Sequence, residues 1–425
     1  MKCYPEMRKL CILLVLAGAC HLARAQQYSI LIKGGYVIDP RNNLQDTLDI
    51  AVMDGRIVRV DKNIDPRQAA QVVDASGLYV TPGLIDIHTH VFFGTEPGRG
   101  YSNGTEALPP DGFTFRNGVT TVVDAGCSGW RDFPIFKKQV IDNSRTRVLA
   151  FLNIVGAGMR GGAYEQDTRD MDGKLTALVA RQYRDYVVGI KVAHYEGAQW
   201  TPVDEAVLGG NLANIPVMID FGGNIPPLSI RELFLEHLRP GDIFTHCFGQ
   251  LREREPIVDT VTKTIKPFVR EAQRKGIIFD VGYGEISFAF SQAIPALRSG
   301  FIPNSISTDM HARSINADMK DLLNIMSKFL AMGMDLETVI RLVTWNPACE
   351  IRHPELGHLS VGAVADIAIL GLRNGRFGFF DHTGYKITGS QKLEGEVTIR
   401  DGKIVYDLDG RTTPILPPYG LQTSH

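Results

Sequence analysis

The stretch "GLIDIHTHVFFG", residues 83–94, sets two histidines one residue apart at the end of an apolar run. In a strand, residues i and i+2 point to the same face, so His88 and His90 project together at or just past the strand's C-terminal end. Two imidazoles converging on one point outline a metal site.

That run opens a series. From 82 to 348, short apolar strands alternate with helix-like segments. The strands read as Leu84–His88, Thr120–Asp124, Val148–Asn153, Val187–Val192, Ile215–Ile219, Asp242–His246, Ile277–Val281 and Ser305–Thr308. Between them lie segments such as "LTALVARQYRDY", "SIRELFLEHL" and "TIKPFVREAQRKG". Eight strands alternating with helices predict an α/β fold, a parallel (β/α)8 TIM barrel. An open doubly wound sheet is the alternative, and eight units without a Gly-rich phosphate loop favour the closed barrel.

The flanks follow a different grammar. "YSILIKGGYVID", "DIAVMDGRIVRVD" and "QVVDASGLYVTPG" are β-rich, the middle one a hairpin around Asp54-Gly55; "GEVTIRDGKIVYDLDG" repeats the pattern around Asp401-Gly402. The economical expectation is one small β-sandwich assembled from both chain ends, residues 26–81 and 349–412, with the barrel inserted and a tail at 413–425.

The first 25 residues carry basic side chains, an apolar core from Leu10 to Ala19 and Ala23-Arg24-Ala25 before Gln26. This is the pattern of a secretory signal peptide, predicting export to the periplasm or outside the cell and no membrane span in the mature chain. A lipoprotein signal ending at Cys20 competes, although the usual Leu three positions earlier is Ala17. The mature chain keeps Cys127, Cys247 and Cys349, which form no disulfide framework. With 45 basic and 47 acidic residues the net charge is −2, so there is no basic field for nucleic acid. The expected partner is a small-molecule substrate; oligomeric state is not legible.

In such a barrel reactive groups sit at the C-terminal ends of strands. Those positions hold His88, His90, Asp124, Asn153, Lys191, Asp220, His246, Tyr283 and Asp309, mostly metal-ligand or proton-transfer types. His246 ends a strand whose body is apolar, and the adjacent Cys247 packs the other way. Lys191 ends an apolar strand, where a buried ammonium is costly unless paired or neutralised. It either pairs with a carboxylate or, as a neutral amine, captures CO2 as a carbamate able to bridge two metal ions. His194 reads as an ordinary loop or outer-layer residue. Asp309 can both ligate metal and relay a proton; otherwise it caps the next helix.

"GLIDIHTH", "GVTTVVDAG", "GIKV", "DIFTHCFG", "STDMH" and "GAVADIAIL" together resemble the amidohydrolase superfamily, in its dihydroorotase-like amidohydrolase/deacetylase branch. The resemblance covers nearly all of the mature chain. It implies a barrel with a flanking β-sandwich and a binuclear centre, usually zinc. His88, His90 and Asp309 would hold the buried ion, Lys191 as carbamate would bridge, and the second ion would take His246 and a ligand from the fifth strand. Here the sequence departs: "IPVMIDFGG" has Asp220 where the related pattern has His, and "FDVGYGEISF" has Tyr283 where it often has His. Asp220 either coordinates through oxygen or leaves the second ion weak. An ionised Asp220 adds negative charge, so a weaker Lewis acid more tolerant of manganese is expected.

The long Gly/Pro-rich loop "FGTEPGRGYSNGTEALPPDG" is either a lid or an ordered surface loop. Arg160 is a candidate fork for a substrate carboxylate; Tyr283, His311 and Arg313 are further substrate-contact candidates by chain position. The expected activity is hydrolysis of an amide or ester bond in a small acylated, carboxylate-bearing compound. A mononuclear hydrolase or deaminase, and a catalytically silent binder on the same barrel, are the alternatives.

Overall fold

The computed structural model describes residues 27–220, 228–251 and 254–413; the expected signal peptide, Cys20 and the tail beyond 413 lie outside the described residues. The first five strands are β1 (Tyr28–Asp39), β2 (Leu44–Met53), β3 (Arg56–Asp61), β4 (Ala69–Asp74) and β5 (Tyr79–Pro82). β1, β2 and β3 form an antiparallel meander. Its second turn is Asp54-Gly55, with φ of 49° and 74°, the two left-handed residues that a two-residue hairpin loop of type I′ requires.

Seven parallel strands follow in spatial order: β6 (Leu84–Thr89), β7 (Val119–Gly129), β8 (Arg147–Asn153), β9 (Val187–Val192), β10 (Val217–Ile219), β11 (Ile243–Phe244) and β12 (Ile278–Phe279). Every residue of β6, β7 and β9 is buried, as parallel strands sandwiched between side-chain layers and helices must be. Ile87, Val123, Leu149, Phe151, Met218 and Ile243 belong to a cluster of their own, the layered interior of a TIM barrel.

The expected eighth strand, 305–308, needs correction. The segment forms no continuous strand and closes the ring through the isolated parallel bridges Asp280↔Ser305 and Thr89↔Met310 and through single backbone bonds such as Tyr283 N–H to the Ser307 carbonyl at 3.1 Å and Asp309 N–H to the His88 carbonyl at 2.7 Å. Asp309 itself has φ 51°, outside the strand region, so the ladder breaks where the functional side chain turns inward.

The chain then returns to the first sheet as β13 (Ile367–Phe380), β14 (Lys386–Arg400) and β15 (Lys403–Asp407). β13 pairs antiparallel with β5, from Ile367↔Pro82 to Leu370↔Tyr79, so both chain ends build one eight-stranded sheet. Ile32, Ile50 and Val52 from the first end share its core with Ile367, Ile369, Val397 and Ile399 from the second. The Asp401-Gly402 turn rests on the first hairpin turn so closely that a Cβ on Gly402 would lie 2.6 Å from the Gly55 Cα.

The β13–β14 hairpin continues past the sheet over the helix Leu322–Ala331, where the Leu393 N–H donates to Ser327 Oγ at 3.0 Å. At its tip Asp381 accepts from the Phe290 N–H at 2.7 Å. The hairpin thereby supports the loop after β12, which lines the site described next. Among the described residues, Cys127, Cys247 and Cys349 are free and no helix is long and apolar enough to cross a membrane.

Candidate active site

The strand ends bring the ionisable groups together. Ligand atoms of His88, His246 and Asp309 all lie within 4.8 Å of one another, and all three residues are buried. His90 joins through Nε2, 2.9 Å from Asp309 Oδ1. Lys191 is fully buried, its Nζ 3.0 Å from His88 Nε2 and 3.7 Å from Asp220 Oδ2. Asp220 Oδ2 is also 3.1 Å from His246 Nε2. The expected six residues therefore form one continuous cluster.

Outer contacts fix the rings. His246 Nδ1 donates to the Gly282 carbonyl at 2.5 Å, and His88 Nδ1 pairs with Thr245 Oγ1 at 2.9 Å. Thr245 in turn donates to Asp280 Oδ2 at 2.7 Å, and Asp280 also accepts from Ser305 and Ser307. His246 Nε2 lies 3.1 Å from Asp220 Oδ2, so the ring donates to the carboxylate as an imidazolium or, when neutral with its proton on Nδ1, offers Nε2 beside it as a ligand to a shared cation. Imidazole nitrogens, carboxylate oxygens and a buried amine are suitable donors for zinc, with carboxylates suiting harder ions too.

Burial pushes the Lys191 amine below the usual lysine range against the pull of Asp220, Asp309 and Asp280. Burial alone would raise Asp220, but the charges of His246 and Lys191, the His246 bond and Arg254 hold it well below the carboxylate range. Asp309 behaves alike, with burial overruled by His88 and His311. His246 and Asp309 both adopt left-handed backbones, φ 59° and 51°, which places constrained backbone at the reacting centre.

The cluster opens into a cavity of about 380 Å3 whose walls include Tyr101, His194, Arg254, His311 and Arg313. A wider vestibule of about 700 Å3 shares Tyr101, His194 and Arg313 and adds Arg160 and Tyr164. Tyr101 comes from the long loop after β6 and packs on His90, ring centroids 4.5 Å apart; that loop covers one side of the site. His311 and Arg313 line the cavity. Arg160 lies farther out, its guanidinium 4.1 Å above the Tyr164 ring, which places it in the vestibule rather than beside the cluster.

Tyr283 is corrected. It is buried, stacked on Phe288 at 4.4 Å, and donates to Asp318 Oδ2 at 2.5 Å, so its side chain faces the hairpin support and not the substrate cavity. Asp124 and Asn153, also at strand ends, are structural. Asp124 accepts from the Val91 and Cys127 N–H groups at 2.8 and 2.7 Å, and Asn153 bonds Gly126 O and the Val155 N–H. Sequence reasoning missed Tyr101, Arg254 and Asp280 and set His194 aside.

A barrel with buried histidines, carboxylates and a lysine at its C-terminal rim defines a metallohydrolase class of protein. A deacetylase of Brucella anthropi is 34% identical over 337 residues, covering 77% of this chain and 80% of that protein. The crystal structure of an adenine deaminase superposes with TM-score 0.80 and 29% identity over 90% of this chain and 100% of that one. For the crystal structure of a dihydroorotase the values are 0.76 and 28%, over 89% and 99%. No family model matches the chain. The chain belongs to the amidohydrolase superfamily and is an enzyme of it.

Proposed function

We propose that the chain is an exported metal-dependent hydrolase that cleaves an amide or ester bond of a small acylated, carboxylate-bearing compound. The single observation that carries the reading is the buried cluster in which ligand atoms of His88, His246 and Asp309 lie within 4.8 Å of one another, with Lys191 Nζ 3.0 Å from His88 Nε2. Deacetylase relatives support the hydrolytic class.

His88, His90 and Asp309 would hold one divalent ion, His246 and Asp220 a second, and Lys191 as carbamate would lie between them. When bound, zinc or manganese would polarise the scissile carbonyl and make water acidic enough to ionise near neutrality. The chain's own residues supply the rest. The neutral Lys191 amine forms a C–N bond to CO2 and gives its proton to solvent. Asp309 takes the proton of the attacking water and passes it to the leaving nitrogen or oxygen as the acyl bond breaks. Tyr101 closes the side of the site next to His90 and limits water there.

The test is hydrolysis of a panel of N-acyl and O-acyl carboxylates by the metal-loaded enzyme, with Asp309→Asn expected to lose on the order of 1,000-fold in kcat through the missing proton relay and ligand. The likeness to an adenine deaminase structure favours a second reading, a deaminase on the same barrel. Adenine therefore belongs in the panel: ammonia release from it, with every acyl compound inert, would replace the first reading by the second. N-terminal sequencing of secreted protein checks export, with Gln26 expected first; a lipid-modified Cys20 would establish anchoring instead.

A further inference from the structure

We propose that His194, aimed by Glu165, binds the carboxylate of the substrate. The identity of the ligand rests on the hydrolytic reading above; the choice of residue rests on geometry. His194 follows β9 by two residues and has φ 56°, an uncommon backbone conformation for a side chain of this size. The loop after β8 holds it there. Its Nδ1 is 2.9 Å from Glu165 Oε2, and its carbonyl accepts from Gln166 Nε2 at 2.7 Å. Glu165 is itself buried and steadied by the Gly161 N–H at 2.9 Å.

With Nδ1 donating to Glu165, Nε2 is the free end of the ring. It faces the cluster: Asp220 Oδ2 is 3.9 Å away, too far for a hydrogen bond. The side chain is 44% exposed and lines both the inner cavity and the vestibule, so it stands where the two join.

The other cations on these walls already face protein groups, His311 among them, its Nδ1 2.8 Å from the Asp309 carbonyl. Arg254 donates to Asp220 Oδ1 at 2.6 Å. Arg313 is 3.3 Å from both Glu106 and Glu285 and donates to Tyr101 Oη at 3.1 Å. Arg160 covers Tyr164 in the vestibule. Of these five, His194 is the one held from behind by a buried carboxylate outside the metal cluster, with no hydrogen-bonded protein acceptor in front among the described residues, Asp220 Oδ2 at 3.9 Å lying beyond that range. Its distance from the reacting centre also fits. Asp220 Oδ2 lies 3.9 Å from His194 Nε2 and 3.1 Å from His246 Nε2. In an N-acyl α-amino acid the acyl carbon and the carboxylate carbon are about 3–4 Å apart by ordinary bond lengths, so an acyl group at the cluster leaves its carboxylate within reach of the cavity wall on which His194 stands.

The probes are N-acetylglycine and its uncharged counterpart N-acetylglycinamide. Titration calorimetry of metal-loaded Asp309→Asn protein reads binding without turnover. The acid is expected to bind more tightly than the amide, and that preference to fall at least tenfold when His194→Ala is added. His194→Gln, which keeps a donor nitrogen, should retain part of it, and Glu165→Gln should lose about threefold through a loosened ring. Steady-state hydrolysis by the His194→Ala enzyme should show the same loss in the acid-to-amide ratio of kcat/KM. Equal weakening of both ligands, or an acid preference that survives His194→Ala, overturns the proposal, as does a parent protein that does not prefer the acid. If His194-dependent preference is present but no compound of the acyl panel is hydrolysed, the hydrolytic reading falls and the binding role stands. If both are hydrolysed and the preference ignores His194, only the binding role falls.

Discussion

Arg254 donates from Nη2 to Asp220 Oδ1 at 2.6 Å, and both side chains are buried. The contact leaves only Oδ2 of Asp220 turned toward His246 and Lys191. It also cancels the carboxylate's charge, so the pair is neutral as a single histidine would be. The expectation of a weaker Lewis acid at this centre, drawn from Asp220 alone, is therefore revised: the guanidinium offsets the added negative charge. Removing one member of a buried pair exposes the cost of the other, about 3–5 kcal/mol. Asp220→Ala and Asp220→His should both destabilise by this order, because Arg254 Nε and Nη1 already have no partner among the described residues. Asp220→His combined with Arg254→Met should recover most of the loss. Urea unfolding and metal analysis of the four proteins check this; a double variant no better than Asp220→His would reject the compensation.

Lys191 is packed so that its amine has nowhere to go but the cluster. A Cβ on Gly126 would lie 2.8 Å from both Cβ and Cγ of Lys191, which pins the stem of the side chain from β7. Lys191→Ala should abolish activity and lower metal content, and bicarbonate with a short carboxylic acid should restore part of both. Rescue separates a missing bridging carboxylate from a misfolded barrel, because a small molecule can replace two oxygens but not a core. Mass spectrometry of active native protein without the addition of about 44 daltons, the mass of one CO2 on one amine, would count against the carbamate only if crystals of the same sample also show a bare amine.

Lys328 carries the pH dependence of the hairpin support. It is buried beside Tyr283 and donates to the Asp318 and Phe380 carbonyls at 2.7 and 2.8 Å. Burial lowers its pKa to about 7 from 10.5, despite Asp318 and Asp381. The folded protein thus holds Lys328 neutral above pH about 7, while the unfolded chain keeps it charged up to 10.5. Between those values the unfolded state binds the extra proton, so stability rises with pH across that window. Each unit is worth at most about 1.4 kcal/mol from this group. Lys328→Met should flatten the rise in urea midpoint between about pH 7 and 10; an unchanged slope would assign it to other groups.

The barrel, the shared sheet and the reactive rim are legible because period-two alternation fixes where a side chain points at the end of an apolar strand. His88 and Lys191 occupy such positions, and His90 and Asp220 follow the last strand residue directly, whereas His246 and Asp309 reach the site on left-handed backbones just past the strands. The rule fails where the backbone leaves the strand. Gly282 and Gly284, with φ of 47° and 62°, flank Tyr283 and free it from alternation, so its ring turns into the core. Arg160 sits in a glycine-rich loop with no periodicity to direct it. Arg254 lies in the polar run "LRERE", whose charges resemble a solvated face, and only the fold carries it back to β10. His194 reads as an ordinary loop residue because its left-handed backbone, which aims the ring inward, has no signature in the sequence.

Metal removal should cost stability as well as activity. Without a cation, the buried carboxylates at 220 and 309 lose a counter-charge and the histidines beside them must take up protons to replace it. A ligand that binds only the folded state stabilises it by about 4 kcal/mol at roughly a thousand times its dissociation constant. Exhaustive dialysis against a chelator should therefore lower the melting temperature by several degrees, and zinc or manganese should restore it. His246→Ala already lacks one of the proposed ligands, so its melting temperature should respond less to the same treatment. Metal analysis before and after dialysis ties the shift to stoichiometry, with close to two ions per chain expected in the parent protein. An unchanged melting temperature on complete metal loss would show that the cluster holds itself together through its own hydrogen bonds and ion pairs, and would remove the cation from the account of why these groups converge.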